Sequence, residues 1–191
     1  MLHKPIKKAW LLYVCLLTLF AGCSKCNKTI SPNDASSLPA ATETGAGTFG
    51  CMLNGQPWTP VGQQLFIYPR NPTIIYDPTY NGGTLRLSAY ISTDRKDLMQ
   101  TLNIICDSNF SSIGEYNLTN SKVSFDYTNL NGSSEDNFCS CEDVASNCKL
   151  IITKLDRTNK IMSGTFSFTL QKKETGKKVT ITDGRFDMKF L

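Results

Sequence analysis

The chain has 191 residues, with 20 Lys and Arg against 16 Asp and Glu and a single histidine. That histidine, His3, lies in a segment that we expect to be removed, which excludes Ser-His-Asp catalysis, Cys-His catalysis and histidine-ligated zinc sites from the mature protein. Three lysines would leave with the same segment, and the nearly neutral remainder gives no basis for nucleic-acid binding.

Residues 1–22 have the organisation of an export signal. Lys4, Lys7 and Lys8 precede the run WLLYVCLLTLFA, in which Thr18 is the polar residue. A membrane-spanning helix needs roughly 20 apolar residues, whereas the core of a signal peptide needs about 7 to 15. The shorter run predicts a signal peptide at residues 1–22.

The segment LFAGC, which ends at Cys23, resembles the lipobox of bacterial lipoproteins, although Phe20 stands where leucine is commoner. In that group the cysteine is acylated and begins the mature chain. Each acyl CH₂ buried in a bilayer contributes about 0.8 kcal/mol, so lipid on Cys23 would anchor the protein to the membrane. We predict the outer membrane, and its periplasmic face, because Ser24 and Lys25 follow rather than an acidic cluster. The alternative is an ordinary signal peptide cut near Gly22.

Residues 23–46 contain mainly small and polar residues, so we predict a flexible linker that carries the lipid. Residues 47–191 are long enough for one domain with a continuous core. The predicted organisation is therefore a signal peptide at 1–22, a linker at 23–46 and a single domain at 47–191.

The segment 58–83 concentrates aromatic residues among prolines, which exclude a central strand. Exposed aromatic faces can stack on sugar rings or grip a peptide, and a cation can fix the ligand's orientation. The candidate ligand-binding residues are Trp58, Tyr68, Arg70, Tyr76 and Tyr80. The alternative is a covering loop in which Trp58 plugs one end of the sheets.

Apolar and polar residues alternate with period two through the domain, which is typical of half-buried antiparallel strands. Helix is nearly absent, with only Ser92–Met99 able to form a turn or two. Turn-forming pairs such as Asn54-Gly55 and Asn131-Gly132 separate the strands. We predict an all-β fold of about nine to ten strands, either an antiparallel β-sandwich or a flattened closed barrel.

Several cysteines lie outside the predicted signal peptide and are not the lipid site Cys23. In an exported chain such cysteines favour disulfides. Cys26 lies in the linker and is expected to be unpaired. We predict a bond from Cys148 to Cys139 or Cys141, and the other of these two would reach one of the remaining candidates, Cys51 and Cys106. A thiolate metal site is the alternative, but the spacing C-x-C-x₆-C is unusual for zinc, so we predict no metal.

The apolar positions near the C-terminus change from odd to even numbers, at Val179, Ile181, Phe186, Met188 and Phe190. A strand with strict alternation cannot make this change. Asp183-Gly184 is therefore either a β-bulge or a two-residue hairpin turn. We favour the bulge, with Gly184 at positive φ.

The bulge predicts which side chains of this last strand face the core. Both apolar groups would face inward, with Phe186 buried as a large aromatic side chain. The residues expected to face solvent are Arg185, Asp187 and Lys189. The reverse register would make Arg185 and Asp187 the first polar pair to consider for a functional role.

The segments TFGCMLNGQPWTP and MSGTFSFTL…VTITDGRFDMKF resemble a group of uncharacterised lipoproteins of Bacteroidota, classed as a domain of unknown function. The resemblance implies an all-β envelope lipoprotein and brings no catalytic residues. We predict a binding or structural module with a glycan or peptide as candidate ligand, neither an enzyme nor a cofactor protein. The alternative is a carboxylate-dependent enzyme acting on envelope or dietary glycans, which requires two carboxylates about 5 to 9.5 Å apart in a cleft.

Overall fold

The computed structural model describes residues 37–61, 70–92, 99–118, 122–128, 134–140 and 143–191. Within these ranges the chain forms eleven β-strands and no α-helix, which confirms the all-β prediction. The strands are β1 (Thr48–Leu53), β2 (Gln56–Trp58), β3 (Thr73–Asp77), β4 (Thr84–Ser92), β5 (Met99–Cys106), β6 (Gly114–Asn117), β7 (Lys122–Thr128), β8 (Ser134–Cys139), β9 (Val144–Asp156), β10 (Ile161–Gln171) and β11 (Lys178–Lys189).

The strands form two antiparallel sheets that are not closed into a barrel. One sheet has six strands in the order β2-β1-β11-β10-β9-β6, and the other has five in the order β3-β4-β5-β7-β8. Of the two predicted architectures, the sandwich is therefore correct. The expected helical turn at Ser92–Met99 falls largely on residues 93–98, outside the described ranges.

The core lies between the sheets because each strand turns alternate side chains inward. On β10, Phe166 and Phe168 are buried, whereas Thr165 and Ser167, which alternate with them, are partly exposed. Full burial of a large apolar side chain contributes about 1.5 to 3 kcal/mol. The largest fully buried side chains include Phe110, Phe125, Phe138, Phe168, Leu85, Leu102 and Leu150.

The first hairpin follows the predicted turn chemistry. Leu53 pairs with Gln56, so Asn54 and Gly55 form a two-residue loop between β1 and β2. Asn54 has a φ of 48° and Gly55 a φ of 79°. Two positive φ values at these positions are the requirement of the hairpin turn that Asn-Gly favours.

The last strand is continuous through Asp183-Gly184, so the bulge is confirmed and the hairpin turn is not. Phe166 pairs with Gly184 and Phe168 with Ile181, which places one extra residue on β11. The left-handed conformation falls on Asp183, whose φ is 52°. The expectation of positive φ at Gly184 is wrong, because the extra residue in the ladder precedes the glycine.

Gly184→Ala is nevertheless expected to destabilise the protein, for a different reason. A β-carbon at Gly184 would lie 2.5 Å from ring atoms of Phe166 and 2.6 Å from its carbonyl oxygen. Forcing extra atoms into a packed site costs typically 1 to 3 kcal/mol, and we expect about that loss in urea unfolding. Asp183→Gly is the control: it should leave stability close to wild type, because glycine accepts positive φ without strain. Equal stability of Gly184→Ala and wild type would contradict the close approach.

Candidate functional site

Trp58 is part of the core rather than of an exposed surface. Its side chain is 3% exposed and packs edge-on against Phe49 and Phe125, with ring centroids 6.1 and 6.2 Å away. The indole Nε1 donates a hydrogen bond of 2.7 Å to Oε1 of Gln100. This placement agrees with the plug interpretation and corrects the ligand-binding one, because the side chain is almost fully buried.

The remaining aromatic candidates do not assemble into one surface. Tyr76 is 5% exposed, and its hydroxyl accepts a hydrogen bond of 3.0 Å from Nη2 of Arg157. Tyr80 is 62% exposed and Arg70 is also exposed. Tyr68 lies outside the described residues. Burial therefore removes Tyr76 as well as Trp58 from the proposed aromatic surface, and a binding role for Arg70 and Tyr80 stays a prediction.

The described cysteines are dispersed over the fold. Cys51 and Cys148 are buried free thiols, and burial raises the pKa of the Cys51 thiol to about 12. Burial also raises the pKa of Cys148, opposed by a backbone hydrogen bond from Thr169. The expected bond from Cys148 to Cys139 or Cys141 is absent. Cys148 is a buried free thiol on β9, and its sulfur donates to the carbonyl oxygen of Ser146 at 3.4 Å.

The other cysteine positions follow from the strand ends. Cys106 is 4% exposed at the end of β5, and Cys139 is the last residue of β8. Cys23, Cys26 and Cys141 lie outside the described residues. Among the residues that are described, no three His, Cys, Asp or Glu side chains lie close enough to hold a metal ion together. In the same ranges no helix has the length and apolar character to cross a bilayer.

Residues 37–47 lie against the six-stranded sheet, and we call them the strap. Most of them fall within the predicted linker, so the linker prediction is corrected at its C-terminal end. Leu38 is 6% exposed, and the backbone nitrogen of Gly47 donates to the carbonyl oxygen of Asp187 at 2.8 Å. An apolar side chain and a hydrogen bond to β11 hold this segment on the domain.

The Asp187 carboxylate fastens the strap and is not solvent-facing as predicted. Asp187 is 1% exposed because the strap covers it. Its oxygens accept hydrogen bonds from Gly45 N at 2.7 Å and from Ser163 Oγ at 2.8 Å. The other donors are Thr42 Oγ1, Thr44 N, Thr44 Oγ1 and Ala46 N, at 2.6, 2.9, 3.3 and 3.1 Å.

These hydrogen bonds decide the ionisation of Asp187. Desolvation by burial raises its pKa, but the bonds from Thr42, Ala46, Ser163 and Thr44 together outweigh it and hold the pKa well below its usual range. A carboxylate that accepts several backbone N–H bonds is strongly favoured in its charged form. Asp187 is thus a structural anion whose contacts fix the position of the strap.

Beside the strap, two adjoining cavities open on the outer face of the six-stranded sheet, and we call them together the groove. Their volumes are about 460 and 520 Å³. Lys149 and Ser167 line both cavities, so the two cavities adjoin. Ala41 of the strap lines one end. The other lining residues that matter below are Glu115, Asn117, Asn147, Ile151, Thr165, Asp183 and Arg185.

Strand pairing arranges the floor of the groove in two rows across neighbouring strands. One row runs Glu115, Ile151, Thr165 and Arg185, each paired with the next. The second row runs Asn117, Lys149 and Ser167 in the same way. Strands lie about 4.8 Å apart, so the first row, on four strands, is about 14 Å long, and the second, on three strands, is about 10 Å long.

The groove lies between two β-bulges that flank Ser167. Ser167 pairs with Lys149 and Thr169 with Ser146, so β9 has one extra residue at this point. Asn147, in the bulge, has a φ of 54°. On β11 the bulge described above puts Asp183 at a φ of 52°. Non-glycine residues in this conformation are uncommon, and strained positions and bulges cluster at ligand sites, where they re-aim side chains. Here both strained residues line the groove.

The two cations of the groove are in different environments. Lys149 Nζ lies 3.0 Å from Glu115 Oε1. The side chain of Lys149 is 50% exposed and that of Glu115 is 58% exposed. Arg185 instead donates from Nε to the carbonyl oxygen of Asp183 at 3.3 Å and from Nη1 to that of Pro39 at 3.4 Å. Its contacts are thus to neutral acceptors, which hold the guanidinium beside the strap without neutralising its charge.

The outer face of the five-stranded sheet carries a second polar network. Ser88 Oγ donates to Asn103 Oδ1 at 2.8 Å, and Asn103 Nδ2 donates to Ser124 Oγ at 3.2 Å. Asp126 Oδ1 and Thr101 Oγ1 are buried without a hydrogen-bond partner among the described residues. Desolvation raises the pKa of Asp126, opposed by a hydrogen bond from Ser124. This network is less suited to a ligand than the groove, since Ser88, Asn103 and Ser124 bond to one another and the two unpaired oxygens are buried.

Sequence reasoning missed the groove because its residues come from four separate strands. The alternation that identified Phe166 and Phe168 as core also marked Thr165 and Ser167 as outward-facing, but an outward position does not reveal a concavity. One signal was present: the odd-to-even change located the bulge beside Asp183. No comparable signal marked the bulge at Asn147, whose segment lacks long apolar alternation.

The fold and the groove define a two-sheet all-β protein with a polar concavity on one outer face. Residues 79–188 match the family described as Domain of unknown function (DUF6252). That match spans more than half of the chain, and the chain belongs to this family. No curated protein and no solved structure matches the chain. The expected membership in a domain of unknown function is confirmed, while the lipoprotein assignment stays a prediction.

Proposed function

We propose that this protein is a binding module of the bacterial cell envelope that holds a polar ligand in the groove. The observation that carries the proposal is the presence of two adjoining cavities over one sheet face, framed by bulges whose non-glycine residues take positive φ. Small-molecule sites in proteins typically have volumes of roughly 300 to 1,000 Å³, and each cavity alone falls within this range.

Binding is favoured over catalysis by the placement of the carboxylates. The groove holds Glu115 on β6 and Asp183 on β11. Three strand spacings separate these strands, which puts the two backbones about 14 Å apart. Paired carboxylates of glycoside hydrolases lie about 5 to 9.5 Å apart. Glu115 is also paired with Lys149 at 3.0 Å, so one of the two carboxylates is already engaged.

A thermal-shift panel of neutral oligosaccharides, acidic oligosaccharides and short peptides tests the proposal. A ligand present at ten times its Kd adds about 1.4 kcal/mol of stability, which should raise Tm by about 3 to 6 °C. We expect at least one class to do so with wild-type protein and to lose the effect in Ser167→Trp, whose indole would fill the middle of the groove.

Ile75→Trp is the matched control for that experiment. Ile75 is 46% exposed on β3 of the other sheet, so an indole there leaves the groove open. We expect Ile75→Trp to respond like wild type. A ligand that stabilises Ser167→Trp as well as wild type would show that the groove is not its site, and the absence of any stabilising ligand would contradict the binding proposal.

We propose further that the protein is an envelope lipoprotein of the Bacteroidota type, anchored through Cys23 to the periplasmic face of the outer membrane. The support comes from the sequence, in which a twelve-residue apolar run leads into LFAGC.

Cys23→Ser should abolish the anchoring, because the sulfur that accepts the lipid is removed. In detergent phase separation of cell extracts, we expect wild-type protein in the detergent phase and Cys23→Ser in the aqueous phase. Cys26→Ser is the control and should stay in the detergent phase. Equal partitioning of wild type and Cys23→Ser would contradict the lipid anchor, and protease digestion on intact cells would contradict the periplasmic face.

An exported chain also favours a disulfide, which we propose at Cys139. The support is that Cys51 and Cys148 are buried free thiols, whereas Cys139 is not among the free thiols. A disulfide at Cys139 requires a second cysteine as its partner. Non-reducing peptide mapping by mass spectrometry would identify that partner, and a free thiol at Cys139 would contradict the assignment.

A further inference from the structure

We infer that the ligand of the groove is a short oligosaccharide in which a single sugar carries a carboxylate, and that Arg185 receives this carboxylate. The inference rests on the proposed function, since it assigns a ligand class to the same groove. It follows from three features, namely the state of Arg185, the hydroxyl and amide floor, and the acidic residues toward the ends.

Arg185 carries a charge that its protein neighbours leave uncompensated. Its two hydrogen bonds are long, at 3.3 and 3.4 Å, and both acceptors are backbone carbonyls. In the described part of the chain it forms no ion pair, whereas Lys149 on the other side of Ser167 is paired with Glu115. A guanidinium presents its N–H groups as a planar fork that matches the two oxygens of a carboxylate. The strap holds this fork at the rim of the groove, through Pro39.

The floor between Arg185 and Lys149 suits sugar hydroxyls. Between the two cations, Thr165 carries a hydroxyl, and Ser167 Oγ, which donates to the carbonyl oxygen of Asn147 at 3.4 Å, keeps lone pairs that accept. On the far side of Lys149 the side chain of Asn147 adds an amide that both donates and accepts. Sugar hydroxyls also donate and accept, so these side chains can pair with them in either direction. The length of the first row, about 14 Å from the strand spacing, suits two or three sugar units.

A peptide fits this location less well than a sugar. Extended peptides gain affinity by adding a strand to an open sheet edge. Here β10, at the centre of the groove, is already paired with β9 on one side and β11 on the other. The groove therefore offers a ligand side chains of the sheet face rather than free backbone groups.

Glu115 limits the ligand to one negative charge, at the Arg185 end of the floor. Glu115 is exposed on β6, three strands away from Arg185 on β11. A ligand with a carboxylate on every sugar would bring an anion close to Glu115, and like charges at close range repel. Asp183 lines the same cavity as Arg185 and opposes any anion beyond the one that the guanidinium receives. An oligosaccharide with one acidic unit and neutral neighbours avoids this repulsion.

Isothermal titration calorimetry with three kinds of probe tests the inference. The singly acidic probes are aldobiouronic acids with gluco, galacto and manno configurations, the neutral probes are the corresponding disaccharides, and the fully acidic probe is trigalacturonic acid. We expect at least one aldobiouronic acid to bind at least tenfold more tightly than its neutral counterpart and than trigalacturonic acid.

Variants of Arg185 localise the carboxylate. Arg185→Ala should lower the affinity for the acidic probe at least tenfold and change the affinity for a neutral probe less than twofold. Arg185→Lys should recover only part of the affinity for the acidic probe, because lysine lacks the planar fork. Lys173→Ala removes the same charge from an exposed position elsewhere and should bind like wild type. Thermal unfolding of each variant confirms that it is folded.

The outcomes separate this inference from the proposed function. If neutral disaccharides bind as tightly as acidic ones, or if Arg185→Ala leaves the acidic probe unaffected, the inference is overturned while a polar-ligand groove stands. If only peptides stabilise the protein in the thermal-shift panel, the inference is likewise overturned. If no saccharide binds at millimolar concentration, the ligand class is wrong. The proposal that the groove binds a ligand is overturned as well only if no compound of the thermal-shift panel stabilises the protein.

Discussion

Replacing Phe186 with alanine is expected to lower the free energy of unfolding by about 3 to 5 kcal/mol, the usual cost of truncating a buried aromatic side chain. Phe186 is 2% exposed, and its ring packs over Gly164, where atoms Cε1 and Cζ lie 3.1 Å from the position a β-carbon would take. The space left by alanine cannot be filled from that side, because glycine has no side chain to move. Urea unfolding at neutral pH measures the loss.

Arg185→Ala is the control, since it changes the adjacent residue on the opposite face of the same strand. Its two hydrogen bonds are long and go to backbone carbonyls, so we expect a loss under about 0.5 kcal/mol. This pair of variants also tests the register across the bulge. If Phe186→Ala left stability unchanged and Arg185→Ala lowered it, Arg185 rather than Phe186 would face the core, which would contradict the register.

The second large effect is expected at Asp187. Asp187→Asn keeps the shape of the side chain but removes the charge that six hydrogen bonds stabilise and turns one acceptor into a donor. Hydrogen bonds to charged groups contribute about 1.5 to 3 kcal/mol, and we expect a loss of that size at pH 7. The strap should loosen with it, seen as faster amide exchange at Thr44, Gly45 and Ala46.

The loss should depend on pH. Because the folded pKa of Asp187 lies below the value of an unfolded Asp, near 3.9, its stabilising contribution is complete above that value and disappears as the pH falls toward the folded pKa. The difference between wild type and Asp187→Asn should therefore be constant from pH 5 upward and shrink below about pH 4. A difference that grows on acidification would contradict the assignment of Asp187 as a hydrogen-bonded anion.

Asp126→Asn is the matched control, because the same substitution should have the opposite sign there. Desolvation raises the pKa of Asp126, so its contribution to stability is present below the unfolded pKa and is lost as the pH rises through the folded value. Near neutral pH the ionised Asp126 is unfavourable, with Oδ1 buried and unpaired. Asparagine removes that charge and its amide can donate to Thr101 Oγ1, so Asp126→Asn should be neutral or stabilising.

The contrast between Phe186 and Asp187 shows what local pattern predicts and what it does not. The inward position of Phe186 follows from alternation along one strand, together with the bulge that restores it, and both are visible in neighbouring residues. The burial of Asp187 depends on Thr44 and Ala46, which lie more than 140 residues away in the chain. Only the folded chain brings the strap over β11, so a residue that alternation assigns to solvent becomes buried.

The aromatic candidates failed for a related reason. Trp58 and Tyr76 stand among prolines in a segment that suggested a loop, yet Trp58 ends β2 and Tyr76 lies on β3, and both point into the core. Proline excluded a central strand but not the edge strands that these are. The groove, in turn, is made of polar residues whose individual positions are unremarkable and whose proximity depends on pairing between β6, β9, β10 and β11.

The central claim is that the groove around Ser167 is the ligand site, and amide chemical-shift mapping tests it most directly. The protein, labelled with ¹⁵N, is titrated with the ligand that gives the largest Tm increase in the thermal-shift panel. We predict that the largest shifts cluster at residues 147–151, 165–167 and 183–185, with β3, β4 and β5 unaffected. Shifts that cluster instead on the outer face of the five-stranded sheet, around Ser88, Asn103 and Ser124, would contradict the claim.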